Sequence, residues 1–331
     1  MMVFSVTRRA LLGAVPATAL AGLGRPREAM AQKLDRPARL VVNFSAGGVM
    51  DTVARLYADR LRGLYAPQVI VDNRPGAAAR IGVELVKAAQ PDGLTVLMTP
   101  ETMMVLYPYI YTRTLRYDPT RDFIPVTGLS SFGFTWIVDA NHPAKTLAEF
   151  IDWARKRPEV DFATPAAGSL PHFVSVMMAR TLGIRLNHVP YREMSMAFAD
   201  LNGGRISAYM SVIGTAAEQH RSGRVRALAV TMPERVSTLP DVPTFAELGH
   251  PQLTADEWYG IFLPAGTPDG IVRSLYGAIN EVASTAEMRA ALARVEQYPV
   301  STTPFEYAAR LRAERDRWGP VVRESGYEVG E

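Results

Sequence analysis

A short apolar run that stops at two glycines and restarts as a helix constrains this chain more than any other feature. Leu40-Val41-Val42-Asn43-Phe44 is apolar and β-favouring enough for a strand buried on both faces. Ser45-Ala46-Gly47-Gly48 then breaks it, and the two glycines can take backbone angles closed to other residues. Asp51 and Thr52 favour a helix start, and Val53, Leu56, Tyr57, Leu61 and Leu64 recur at helical spacing. The stretch therefore reads as strand, small-residue turn and helix. Free N–H groups at such a helix start, aided by its dipole, form a seat for an anion. Turns of this kind also occur throughout α/β proteins with no ligand on them, so this stretch alone leaves both readings open.

The pattern continues. Val69-Ile70-Val71-Asp72 is a second strand, and a helix with Ile81, Val83, Leu85, Val86 and Ala89 follows it to the turn Pro91-Asp92-Gly93. Thr95-Val96-Leu97-Met98 is a third strand, with Thr99-Pro100-Glu101-Thr102 as its C-terminal loop. Strands alternating with helices at this spacing predict a mostly parallel sheet, in which ligands sit outside the C-terminal strand ends. That rule groups Ser45–Gly48 with Thr99–Thr102. After a turn-rich segment at 107–122, strands are expected at Ile124–Thr127 and Phe134–Val138, and Thr146–Glu149 fits a capping box. Then the opening unit recurs: Val160–Thr164 is strand-like, Pro165-Ala166-Ala167-Gly168-Ser169 is a small-residue loop, and a helix runs from Pro171 to Leu182. Further strands are expected at His188–Tyr191, Ile206–Met210, Val225–Val230 and Trp258–Leu263. Helices are expected to Leu201, closed by Gly203-Gly204, and over Ile271–Val282, Met288–Val295 and Phe305–Val322.

At 331 residues and 48% apolar, the chain can bury a large core. It has no cysteine, which excludes disulfides and thiolate metal sites. A formal charge of +3 invites a nucleic-acid reading, but the excess is local. Four of the 36 basic residues and one of the 33 acidic ones lie within 1–31, leaving 32 of each and no basic stripe. That first segment reads as a cleaved export signal. Arg8 and Arg9 precede an apolar run ending near Leu23, and Ala29-Met30-Ala31 supplies small residues for cleavage before Gln32. The paired arginines suggest the twin-arginine route. Leu11 to Leu23 is too short to span a ~30 Å hydrocarbon core and contains Pro16. The remaining chain is expected to be soluble and periplasmic.

Motifs for chemistry are sparse. The five histidines, His142, His172, His188, His220 and His250, show no metal-ligand spacing, and no nucleotide-phosphate motif is present. Ser169 and His172 could share a helix face as a hydrolase pair, but no G-x-S-x-G elbow surrounds Ser169 and no acid is placed to orient His172. No cofactor, no metal and no nucleic-acid partner are expected.

Several strings in fixed order carry a family resemblance. They are Phe44-Ser45-Ala46-Gly47-Gly48 with Asp51, Val71-Asp72-Asn73-Arg74-Pro75-Gly76-Ala77, Pro91-Asp92-Gly93-Leu94-Thr95 and Val189-Pro190-Tyr191. Arg226–Thr231, Leu239-Pro240-Asp241-Val242-Pro243-Thr244 and Trp258-Tyr259-Gly260 leading to Pro264–Pro268 complete the set. The chain resembles the Bug receptors, the TctC-like periplasmic solute-binding proteins of tripartite tricarboxylate transporters. It departs from their usual pattern at Ser45, at Val49-Met50, at Arg192-Glu193-Met194 and at Ser207.

The resemblance implies an α/β type II periplasmic binding protein fold, two α/β lobes with a ligand cleft between them. Residues 32–131 and 257–331 are expected in one lobe and 132–256 in the other, with crossings near Ser131 and Asp256. The implied function is capture of a small carboxylate by a monomer that delivers it to membrane permease subunits of such a transporter. A ligand-presenting partner of a membrane sensor kinase, or a hydrolase using Ser169 and His172, are the alternatives. The expected ligand contacts are Phe44, Ser45, Gly47, Gly48 and Asp51 on the first loop, and Ala166, Gly168, Ser169 and His172 on the second. Thr99, Glu101, Tyr191 and Ser211 are added from neighbouring strand ends.

Overall fold

The structure is a computed structural model that describes residues 1–2, 33–191 and 194–328. The export signal and its arginine pair, and the departure at Arg192-Glu193, lie outside the described residues. Among the described residues no helix is long and apolar enough to cross a membrane.

The first unit folds as its pattern predicts. β1 (Ala38–Val42) buries every residue but Arg39, and the loop 44–48 leads into α1 (Val49–Leu61). α1 buries Met50, Val53, Ala54, Tyr57, Ala58 and Leu61 on one face. That spacing wraps a single apolar stripe onto the sheet. β2 (Val69–Asn73), α2 (Arg80–Lys87) and β3 (Thr95–Pro100) follow, and both β2 and β3 pair parallel to β1. Two short helical turns follow: α3 (Thr102–Val105) directly after β3, and α4 (Tyr107–Ile110) at the start of the segment read as turns.

The two strands expected at 124–127 and 134–138 are one. β4 (Phe123–Asp139) runs 17 residues without a break, buried from Val126 to Val138. Register shifts at Pro125/Thr127, Gly128/Ser130 and Trp136/Ile137 let it bend while it stays hydrogen-bonded. Beyond it come α5 (Leu147–Arg155), β5 (Val160–Ala163), α6 (Leu170–Leu182) and β6 (Leu186–His188). α7 (Met194–Asn202), β7 (Ala208–Val212), α8 (Ile213–Arg221) and β8 (Val225–Val230) continue that region. The expected capping box on α5 is half formed: Thr146 accepts the Glu149 N–H at 3.2 Å, while the Glu149 carboxylate takes the Lys145 N–H at 2.6 Å.

The chain returns through β9 (Asp256–Pro264), α9 (Asp269–Ala283), α10 (Ala286–Ala293) and β10 (Tyr298–Pro299), and ends on α11 (Pro304–Ser325). Thr303 and Glu306 form a complete capping box at the start of α11. The order along the sheet is β2-β1-β3-β9-β4-β7-β5-β6, with β8 and β10 also on β4. The sheet is mixed rather than mostly parallel, because β9 runs antiparallel to both β3 and β4, and β4 runs antiparallel to β7 and β8. Apolar strand patterns set burial and carry no direction, so this reversal was not in the sequence reading. The described residues from 33 onward pack as one compact unit, with the two sheet regions joined through β4.

Candidate ligand-binding site

Strand register decides which loops can meet. Pro100, at the C-terminal end of β3, pairs with Tyr259, and Tyr259 pairs with Ser130 on β4. Val212, at the C-terminal end of β7, pairs with Phe134 on the same strand. β4 exchanges β9 for β7 between Gly133 and Phe134. Through β9, the C-terminal end of β3 comes level with Ser130, while that of β7 pairs with β4 at Phe134, so the two ends face one short stretch of β4 from opposite directions, about 13 Å apart along the strand. β1 lies parallel beside β3, and β5 parallel beside β7. The loops leaving β1 and β5 thus run toward the crossing from opposite sides.

Those two loops are built on one plan. In the first, Gly47 has φ +87° and its N–H donates to the Asp51 carboxylate at 2.9 Å. In the second, Gly168 has φ +74° and its N–H donates to His172 Nδ1 at 3.1 Å. The cap residues that follow, Gly48 (φ −81°, ψ 173°) and Ser169 (φ −86°, ψ 167°), share one extended conformation. Asp51 and His172 each stand at the third helical position. Each side chain turns back to hold the glycine amide, so the chain is pinned while the first-turn N–H groups stay outside the helix ladder; in α6 Pro171 has none, and the Ser169 N–H donates to the Ala166 carbonyl at 3.4 Å. Both α1 and α6 are 13 residues long.

The two ends differ in charge. Burial alone would raise the Asp51 carboxyl, but hydrogen bonds from Arg55, the Gly47 N–H and the Asn73 amide outweigh it and hold it below the ordinary carboxylate range. Arg55 Nε donates to it at 2.9 Å. The α1 end thus already carries a protein carboxylate. His172 is the opposite case: burial first, and the neighbouring His188 second, push it down to about 3. Burial pushes His188 down to about 4, and the two rings lie 4.2 Å apart. Both are neutral near pH 7. Because His172 Nδ1 accepts from Gly168, its proton is assigned to Nε2.

The other expected contacts are distributed less simply. Phe44 is 41% exposed, its carbonyl held by the Asn73 amide at 3.1 Å, and Ser45 is also exposed. Ala166 is exposed, and its carbonyl accepts from Ser169 Oγ at 2.6 Å and from Thr164 Oγ1 at 3.0 Å. Ser169 and His172 therefore hold separate backbone partners and make no nucleophile–base pair. Thr99 is buried and accepts from Asn43 Nδ2 at 2.9 Å. Glu101 is buried too, but Arg310 Nε contacts both its oxygens at 3.1 Å. Burial pushes Glu101 up to about 8, against the pull of Arg310, and pushes Glu257 up to about 7, against hydrogen bonds from Thr102. Tyr191 donates to Asp200 at 2.7 Å, and the buried Ser211 donates to the Val212 carbonyl at 3.2 Å.

Gly48 and Gly168, treated alike from the sequence, differ in the structure. Gly48 has an ordinary φ, and an added Cβ would meet nothing nearer than the Ser45 carbonyl at 3.9 Å. At Gly168 the φ is left-handed and the added Cβ would lie 3.0 Å from the Tyr327 ring. Asn43, Arg310, His188 and Tyr327 were not anticipated. Asn43 had the one readable signal, a polar residue in an apolar strand run; it ties the first loop to Ala79 and Thr99 from a buried position.

A sheet with paired loops at opposed strand ends is the architecture of solved periplasmic solute-binding proteins, several of which superpose on this chain. The periplasmic binding protein BugD gives a TM-score of 0.72 at 28% identity, covering 89% of this chain and 99% of its own. A Rhodopseudomonas palustris protein solved with adipate gives 0.76 at 29% identity, covering 88% and 97%. MatC of the same organism, solved with bound malate, gives 0.72 at 27% identity, covering 87% and 99%. The family model "Tripartite tricarboxylate transporter family receptor" matches residues 53–327, and the chain belongs to that family. Relatives include the UPF0065 protein in the tcbD-tcbE intergenic region of Pseudomonas sp. (strain P51), 33% identical with 89% of each chain covered. Protein BugT of Bordetella pertussis is 31% identical, covering 88% of this chain and 90% of its own.

Proposed function

We propose that this receptor binds a small carboxylate between the loops 45–48 and 166–169 and delivers it, as a monomer, to the membrane permease of a tripartite tricarboxylate transporter. The observation that carries this reading is the matched pair of turns, Gly47 with Asp51 and Gly168 with His172, on strands that run toward one crossing from opposite sides. An anion at two helix starts needs no buried Arg, since first-turn N–H groups and the dipoles stabilise it. The two ends do unequal work. Asp51 already places a negative charge at α1, whereas His172 is neutral, so the ligand's charge lies mainly over α6 and the α1 loop contributes shape and N–H donors. Adipate and malate in two solved relatives fit the same ligand chemistry.

Residues 32–131 and 257–331 form one lobe of this proposal and 132–256 the other, hinged where β4 passes Ser131 and β9 begins at Asp256. Export by the twin-arginine route, with removal of residues 1–31, brings the chain to the periplasm. A thermal-shift screen over a carboxylic-acid panel including adipate and malate tests the reading, because a ligand that binds only the folded state raises its melting temperature. A panel in which no acid raises it refutes the carboxylate assignment.

A further inference from the structure

The last helix fastens several elements with arginine side chains and ends on the second loop. Near its start, Arg310 contacts Glu101 beyond β3 and Asp256 at the head of β9, each at 3.1 Å, with its guanidinium 3.8 Å over the Trp258 ring. Farther along, Arg317 donates to the carbonyls of Gln252 and Thr254 at 3.0 and 2.6 Å. At its end, Arg180 of α6 holds the Glu324 carboxylate at 2.5 Å and the Glu324 carbonyl at 2.6 Å. Gly326, at φ +67°, ends the helix and turns the chain so that the next residue, Tyr327, lands on the second loop.

The landing is specific. The Tyr327 ring stands edge-on to His172 at 5.1 Å and to Phe173 at 5.9 Å, both at 82°. It covers Gly168 so closely that an added Cβ would sit 3.0 to 3.3 Å from three of its atoms. His172 in turn holds the Gly168 N–H and lies against His188, and His188 shares a 2.8 Å hydrogen bond with Thr164 Oγ1. Thr164 closes the circuit by donating to the Ala166 carbonyl at 3.0 Å. The loop 164–169 is thus held at Thr164, Ala166 and Gly168 by side-chain contacts, and the outermost of these side chains, Tyr327, comes from the chain's far end. Among the described residues the first loop has no such cover, and residues 44–49 are all exposed.

We propose that Tyr327 is a positioning residue for the second loop, a ring delivered by α11 that holds His172 and Gly168 in the geometry that presents N–H groups to an anion. This deepens the carboxylate-receptor reading and rests on it for its ligand, though not for its effect on the loop. The ring acts by packing and donates no hydrogen bond to the loop, so Phe should replace it and Ala should not.

The experiment compares wild type, Tyr327→Ala and Tyr327→Phe by backbone hydrogen exchange without ligand and by calorimetric titration with the best-binding acid of the panel. Losing two edge-to-face contacts predicts roughly tenfold faster exchange over 164–172 and roughly tenfold weaker binding in Tyr327→Ala. Exchange over 43–51 stays at the wild-type rate, and Tyr327→Phe restores both quantities. Unchanged exchange over 164–172 in Tyr327→Ala overturns the proposal, as does acceleration spread equally over the whole chain, or wild-type affinity in that variant. If exchange behaves as expected while no acid binds even to wild type, the positioning role stands and the ligand reading falls.

Discussion

Gly168→Ala is the substitution whose cost the structure defines most closely. At φ +74° the new residue sits in the left-handed region, which costs an L-residue ~1–2 kcal/mol. Its Cβ would also lie 3.0 Å from Tyr327 Cε1 and 3.1 Å from the Tyr327 oxygen. The ring must back away by a few tenths of an ångström, forfeiting part of an aromatic contact worth ~0.5–1.5 kcal/mol. Together these give a loss of about 1.5–3 kcal/mol, or roughly 2–5 °C in melting temperature for a chain of this size. Two neighbours calibrate it. Gly47→Ala carries the left-handed cost alone, since nothing lies within 4 Å of its added Cβ. Gly48→Ala carries neither cost, and its methyl group intrudes only where the ligand is proposed to sit. Urea unfolding of the three variants should therefore rank them Gly168→Ala, Gly47→Ala, Gly48→Ala from least to most stable. A Gly168→Ala protein as stable as Gly48→Ala would show that the loop geometry or the Tyr327 contact is wrong.

Three other outcomes follow from the site. Ser169→Ala removes one neutral hydrogen bond to the Ala166 carbonyl, worth ~0.5–1.5 kcal/mol, so calorimetric titration should show a smaller loss of affinity than for Gly168→Val; the reverse order would contradict the loop model. Stability should peak near pH 6. Glu101 and Glu257 are raised to about 8 and 7, so their contribution is complete below the usual carboxylate range and is lost as pH rises through 7–8. His172 and His188 are depressed to about 3 and 4, so theirs is complete above pH 6.5 and is lost as pH falls toward 4. Melting temperatures from pH 4 to 9 test this, and Glu257→Gln should flatten the alkaline side; a profile flat from pH 6 to 9 in wild type would refute the buried-acid account. Changing Arg8 and Arg9 to Lys should abolish export, measured by fractionation, and normal periplasmic levels of the double variant would rule out the twin-arginine route.

The parts of the fold legible in the sequence are those that local pattern controls. Val53, Tyr57 and Leu61 are buried at the spacing that marked α1, and Val174, Met178 and Leu182 do the same for α6. Both glycine turns were readable for the same reason, since each interrupts an apolar run. Even the shared plan of the loops lies in the sequence, as a glycine with a hydrogen-bonding side chain four residues on. An aspartate in one and a histidine in the other hid the equivalence, because it rests on acceptor geometry and not on charge. β4 was read as two strands because Gly128 and Gly133 and the polar pair Ser130-Ser131 look like a break, whereas buried bulges carry the strand through. Partners far apart in the chain left no trace. Nothing near Glu101 announces Arg310, 209 positions later, and nothing near Gly168 announces Tyr327. Glu101 was placed with the ligand because it ends a strand, and only tertiary structure shows its carboxylate held by Arg310.

The claim that one carboxylate is held by both helix starts is tested most directly at the amides themselves. In nitrogen-15-labelled protein titrated with the tightest-binding acid of the panel, the resonances of Gly48, Val49, Ser169 and Leu170 report each end separately. Both pairs should shift, with one common dissociation constant and the larger displacement at Ser169 and Leu170, where no protein carboxylate competes. Shifts confined to one loop, or clustered away from both, would contradict it.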